Sequence, residues 1–123
     1  MIFDITPEEA RLLLDVALMA TGGSRFKSAE TILSALEEYR PESEQLAVAR
    51  MILAISKGDM EGALEFADRK AMPEHPGSAM VKAFKGMALL RLGRAAEAAV
   101  PIKEAAAQTD DPAAAQLAKD MMT

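Results

Sequence analysis

The side chains that could carry chemistry in this chain are few and scattered. His75 is the single histidine and there is no cysteine, which removes thiol nucleophiles, disulfides, thiolate zinc sites and any histidine-rich metal centre. His75 stands between Glu74 and Pro76 and reads as a solvent-exposed loop residue. Two carboxylate pairs, Glu37-Glu38 and Asp110-Asp111, have the residue types of an acid–base site. The first lies near the end of a polar helical stretch and the second precedes Pro112, so solvation and helix capping account for both. No glycine-rich phosphate loop and no Ser/His/Asp set is visible. Between His75 and Ala96 every charged residue is basic, namely Lys82, Lys85, Arg91 and Arg94. That excess could steer an acidic partner, although an ordinary solvated face explains it first. The chain is therefore expected not to be an enzyme and to need no metal or cofactor.

What remains is apolar chemistry, meaning the recognition of another surface. The 123 residues suffice for one domain, half of them are apolar and 27% are charged, a globular rather than a disordered composition. Alanine, leucine, methionine, glutamate and lysine lose little on entering a helix, and β-branched residues are scarce, so the fold class expected is all-α. A formal charge of −5 argues against a nucleic-acid partner, which needs a clustered basic surface. No apolar run approaches the ~18–20 residues that span a bilayer, so no membrane insertion is expected. Asp4, Glu8 and Glu9 stand where a signal peptide would carry lysine or arginine, and the protein is read as cytoplasmic.

Start and stop signals divide the chain into seven helices. Thr6-Pro7-Glu8-Glu9 joins a capping hydroxyl, a proline preset for the first turn and a glutamate three residues after the cap, opening a helix over about 7–21. Gly22-Gly23 ends it, and Ser24 is expected to cap a second helix reaching Tyr39 before Pro41 breaks the chain. A third helix over about 42–57 stops at Gly58, and Asp59 caps a fourth that ends near Met72-Pro73. The loop Pro73-Glu74-His75-Pro76-Gly77 follows, then a helix over about 78–92 stopped by Gly93, a sixth reaching about Gln108, and a short seventh opened by Asp111-Pro112. Pro101 lies inside the sixth, where a kink or a break at Val100 is expected.

Aligning the second helix of each pair places Ala29, Ala63 and Ala98 at one position, spaced by 34 and 35 residues. Gly58 and Gly93 repeat at 35, Gly86 puts a small residue seven before Gly93, and Pro41, Pro76 and Pro112 punctuate the unit ends. A two-helix unit with a period near 34 is the tetratricopeptide pattern. The architecture expected is a single tetratricopeptide-like right-handed solenoid over 1–123. Its units cover approximately 7–41, 42–76 and 77–112, and a short C-terminal helix, 112–121, caps the last apolar edge. The pattern's large aromatic in the first helix is absent, and Arg50 and Lys85 stand where a buried leucine is usual. An ordinary helical bundle with chance alanine spacing is the competing arrangement.

In such a solenoid the first helices line the concave face. Its inward positions become Leu14 and Leu18 in the first unit, Val48, Ile52 and Ile55 in the second, and Met80, Ala83, Met87 and Leu90 in the third. All nine are apolar, so this face suits an amphipathic helix rather than an extended charged peptide. Methionines such as Met51, Met80 and Met87 adapt to a helical ligand's side chains. Uncovered, such a groove exceeds what a soluble monomer tolerates, so self-association is expected in the unliganded chain. The alternative is that the first helix or helix 112–121 folds back and plugs it.

Ala17-Leu18-Met19-Ala20-Thr21-Gly22, then Ala29-Glu30-Thr31-Ile32-Leu33 with Leu36, then Glu42-Ser43-Glu44 opening an apolar helix to Gly58-Asp59 and Ala63-Leu64, resembles the small tetratricopeptide-like proteins of bacterial type III secretion systems. The likeness is to the larger co-chaperone of the needle subunit and extends through Leu92-Gly93 to Asp111-Pro112. A related small type III secretion family of plant-associated bacteria shares Ala35-Leu36 to Pro41 and Gly58-Asp59 to Ala63-Leu64. The resemblance implies a cytoplasmic chaperone that holds the amphipathic C-terminal helix of the needle subunit and prevents premature polymerisation, together with a second small helical chaperone. A generic adaptor for another helical or peptide ligand is the alternative reading.

Overall fold

The structure, a computed structural model, describes residues 5–122; Phe3 and Asp4 lie outside them. Among the described residues the chain is all-helical, with no strand. The helices are α1 (Pro7–Gly22), α2 (Phe26–Tyr39), α3 (Glu44–Ser56), α4, α5 (Ala79–Arg91), α6 (Ala95–Ala107) and α7 (Pro112–Met121). Helix α4 is one rod in three stretches: Met60–Phe66, a wider π-helical turn Ala67–Ala71, and Met72–Glu74. The rod ends at Glu74, one residue past the expected stop near Met72-Pro73. Pro73 has no N–H and its ring crowds the carbonyl four residues back, so the turn ahead of it widens. The Met72 N–H there donates to the Ala67 carbonyl, five residues earlier.

Five of the seven helices begin with the same device. The side chains of Thr6, Ser43, Asp59, Ser78 and Asp111 accept hydrogen bonds from the backbone N–H groups of Glu9, Leu46, Gly62, Val81 and Ala114, at 3.1, 3.3, 2.9, 3.2 and 3.1 Å. Each satisfies a first-turn donor that the helix leaves orphaned. At Thr6 the bond is reciprocal, since its own N–H donates to Glu9 Oε1 at 2.8 Å, a capping box.

The three turns that join α1 to α2, α3 to α4 and α5 to α6 share one hydrogen-bond pattern. Ser24, Gly58 and Gly93 donate to the carbonyls of Thr21, Ile55 and Leu90, and the following Arg25, Asp59 and Arg94 donate to those of Ala20, Ala54 and Leu89. This is the Schellman closure, which needs a left-handed residue; φ is 62° at Ser24, 82° at Gly58 and 77° at Gly93. Ser24 is thus not the cap of α2, as the sequence suggested. Arg25 holds that position without a side-chain cap bond, and Ser24 occupies the strained place that glycine fills in the other two turns.

Four residues past each turn, Ala29, Ala63 and Ala98 are fully buried. A methyl at this position lets the second helix of a pair approach the first. Gly86 goes further, because a Cβ built on it would lie 2.4 Å from Ile102 Cγ1. Helix α6 runs unbroken through Pro101. Each second helix packs between two first helices: α2 touches α1 and α3, α4 touches α3 and α5, and α6 touches α5 and α7. The first helices also meet in chain order, α1 on α3, α3 on α5 and α5 on α7. The interior between them is aliphatic. Ala29, Leu33, Leu36, Leu46 and Leu53 fill the first junction, and Ala63, Leu89, Ala98, Ile102, Ala114 and Ala118 fill the last.

Candidate functional site

Because the first helices lie side by side, residues one repeat apart meet. Leu14 and Leu18 of α1, Val48 and Ile52 of α3 and Met80 of α5 line one surface depression of about 310 Å³, together with the buried Ala49 and the polar Glu44, Gln45 and Asp111. Five of the nine residues expected on the inner face therefore converge. All five are half-buried, so each keeps apolar surface available to a partner. Residues i and i+4 on α1, and again on α3, share a helix face, which is why the pattern could be read from spacing alone.

The other four are placed differently. Ile55 is 6% exposed and Ala83 is 0% exposed, so neither lines the surface. Ile55 sits in the last turn of α3, where the chain doubles back, and clusters with Leu64 of α4 and Ala79 of α5. The Ala83 methyl is too short to emerge past its neighbours. Met87 and Leu90 are half-buried and pack against the core cluster to which α7 contributes Ala114 and Ala118. Helix α7 lies on α5 and α6 and reaches the depression only through Asp111. That carboxylate is held by its cap bond to Ala114, and Glu44 is held by accepting from Ser78 Oγ at 3.0 Å.

The polar residues that interrupt the repeat pattern have structural partners. Arg50 grips Glu37 of α2 with two bonds, Nε to Oε2 at 2.9 Å and Nη2 to Oε1 at 2.7 Å, and also reaches Glu30 and Ser34. Burial pushes both partners toward their neutral forms, Glu37 above the usual carboxylate range and Arg50 below its ordinary value, while the charge of Lys70 pulls Glu37 back. A guanidinium stays protonated at any working pH, so the pair is ionic, with two parallel bonds fixing its geometry. Lys85, 35 residues on, does the same to α4 by pairing with Asp68 at 2.8 Å. Both leucine-to-cation departures thus tie a first helix to the second helix before it, and Glu37 is not the solvated carboxylate expected.

Three of the four cations of the basic run are likewise occupied. Lys82 bonds Gln108 Oε1 at 2.8 Å and pairs with Glu104 at 3.7 Å, Lys85 holds Asp68, and Arg94 holds Glu97 at 2.7 Å. His75 is half-buried rather than exposed, with an Nε2 that has no hydrogen-bond partner among the described residues. Among the described residues no group of three His, Asp or Glu side chains could hold a metal ion, and no helix is long and apolar enough to cross a membrane. Sequence reasoning missed one feature entirely: Leu12, Val16 and Met19 stand exposed on α1, outside the face that Leu14 and Leu18 present to the depression. Their spacing of four and three residues is an apolar helix stripe in its own right. No family model and no curated protein matches this chain.

Proposed function

We propose that the chain is a tetratricopeptide-like solenoid that binds an amphipathic helix across its first helices, and that it acts as a cytoplasmic chaperone for the needle subunit of a type III secretion system. The observation that carries the binding mode is the depression formed jointly by α1, α3 and α5 and lined by Leu14, Leu18, Val48, Ile52 and Met80. Six of its nine lining residues are apolar, and its volume suits a few aliphatic anchors inserted from a helix lying across it. Glu44 and Asp111 in the same lining favour lysine or arginine beside those anchors. Support for the solenoid comes from the shared turn geometry and the ordered contacts of the first helices. Support for the ligand's identity comes from the sequence resemblance, as does the expectation of a second small helical chaperone.

The test is calorimetric titration of the full chain with a peptide spanning the C-terminal helix of the needle protein. Binding is expected from the native chain, and Ile52→Asp should weaken it by about 3 kcal/mol, over a hundredfold in Kd, because the new carboxylate loses its water without gaining a partner. Circular dichroism checks that the variant still folds. Unchanged affinity in a folded variant places the ligand elsewhere. No binding to this peptide, together with capture of a different helical protein, supports a generic adaptor instead.

A further inference from the structure

The exposed stripe on α1 has counterparts in the chain that show what such a face is for. Leu12, Val16 and Met19 stand 34 residues before Leu46, Arg50 and Leu53, which stand 35 before Val81, Lys85 and Ala88. In α3 and α5 these positions are covered: Leu46 and Leu53 are 5% and 3% exposed, and Val81 and Ala88 are both 0%. The cover is the preceding second helix, with Ala29, Leu33 and Leu36 of α2 over α3, and Ala63, Ala67 and Ala71 of α4 over α5. In each case the middle position carries a cation, Arg50 or Lys85, that pairs with an acid of the covering helix. On α1 the same three positions are 63%, 42% and 74% exposed, and the middle one is valine. The face is most apolar where, among the described residues, nothing covers it, opposite to what solvent exposure alone would select.

We propose that a second copy of this chain covers this face, with α1 packing antiparallel on α1 of the partner about a two-fold axis at Val16. Two features single out a copy rather than an unrelated helix. At a two-fold axis the middle residue meets itself, so a cation there would face its own like charge, and an apolar side chain is required in place of the Arg50 or Lys85 of the other units. The ends of α1 are also complementary. Glu8 is exposed at the N-terminal end, while Arg25 and Lys27 are exposed just past the C-terminal end, and none of the three has an ion-pair partner among the described residues.

At 1.5 Å per residue Glu8 lies about 12 Å from the level of Val16, and the C-terminal turn of α1 lies about 10 Å on the other side. Antiparallel pairing therefore brings Glu8 beside the partner's Arg25, twice by symmetry, and sets Leu12 against the partner's Met19. The patch is narrow, so the dimer is weak, at the small end of specific interfaces.

Sedimentation velocity of the full chain from micromolar to millimolar concentration tests this. The native chain should pass from monomer to dimer. Met19→Glu, at a position too exposed to disturb folding, should weaken dimerisation at least about tenfold, while Ile52→Asp leaves it unchanged. Glu8→Arg should weaken it, and adding Arg25→Glu to that variant should restore it to within about threefold. A chain that stays monomeric to millimolar concentration overturns the proposal. So does a dimer that survives Met19→Glu, one abolished by Ile52→Asp, which would join two grooves, or a charge swap that fails to restore association.

Discussion

Gly86 of α5 packs tightly against α6, and replacing it with alanine sets two known effects against each other. In an open helix interior the change stabilises by about 1 kcal/mol, because glycine loses more backbone freedom on folding. Here the new methyl would meet Ile102 Cγ1 at 2.4 Å, Ile102 Cδ1 at 3.1 Å and the Ala98 carbonyl at 3.6 Å, whereas carbon atoms in contact prefer about 3.5–4.0 Å. The Ile102 side chain is 4% exposed and its branched Cβ leaves it one good rotamer, so it cannot swing aside. The helices must part by about 1 Å, at an overpacking cost of about 1–3 kcal/mol. The clash wins by about 1 kcal/mol, worth a fall of roughly 5 °C in Tm.

Urea unfolding followed by circular dichroism reads the midpoint, and an unchanged slope confirms that stability alone has moved. Ile102→Val keeps a methyl where the clash occurs and should not relieve it. Ile102→Ala removes that methyl, and the double variant should be more stable than the sum of the two single changes by about 1 kcal/mol. If Gly86→Ala raises the midpoint, the close α5–α6 contact is wrong, and with it the packing that brings α5 into the depression.

Position 24 should respond in the opposite sense. Ser24→Gly relieves a left-handed serine and is expected to stabilise by about 0.5–1 kcal/mol, while Gly58→Ala, in open space at φ 82°, should destabilise by about 1 kcal/mol, both read by thermal melts. The Glu37–Arg50 pair makes a pH prediction whose sign follows from burial. With the Glu37 pKa raised on folding, the folded chain binds more protons than the unfolded one above the carboxyl's ordinary 4.5. Stability from this group therefore falls as pH rises through the window between 4.5 and the raised folded value. Glu37→Gln should flatten that part of the stability–pH curve. A native chain that instead gains on the variant over this window would mean that the pairing with Arg50 outweighs burial.

The recurring turns and close helix contacts were legible because their marks are small residues with steric duties. Ala29, Ala63 and Ala98 sit where two helices touch, and Gly58 and Gly93 sit where the backbone must turn left-handed. The first turn hid its match, since the left-handed place fell to Ser24 while Gly22 and Gly23 next to it drew the eye. That Leu14, Leu18, Val48, Ile52 and Met80 share one surface was legible from helical periodicity. The burial of Ile55 and Ala83 was not, because periodicity gives a side chain's direction and not whether a returning helix closes over it. Arg50 and Lys85 read as departures because their partners, Glu37 and Asp68, lie in a different helix 13 and 17 residues away, a pairing only the fold defines. The stripe on α1 escaped notice for a related reason: Leu12, Val16 and Met19 look like core until the helix that should cover them is sought.

Methionine positions allow the central claim to be tested directly. Met80 lines the depression, Met51 is fully buried, and Met19 lies exposed on α1 outside the depression. With ¹³C-methyl methionine labelling, titration with the C-terminal helix of the needle protein should shift and broaden the Met80 resonance while the Met19 and Met51 resonances stay in place. A saturable shift at Met19 with Met80 unmoved would contradict the account, because the helix would then bind the outer face of α1 and not the depression shared by α1, α3 and α5.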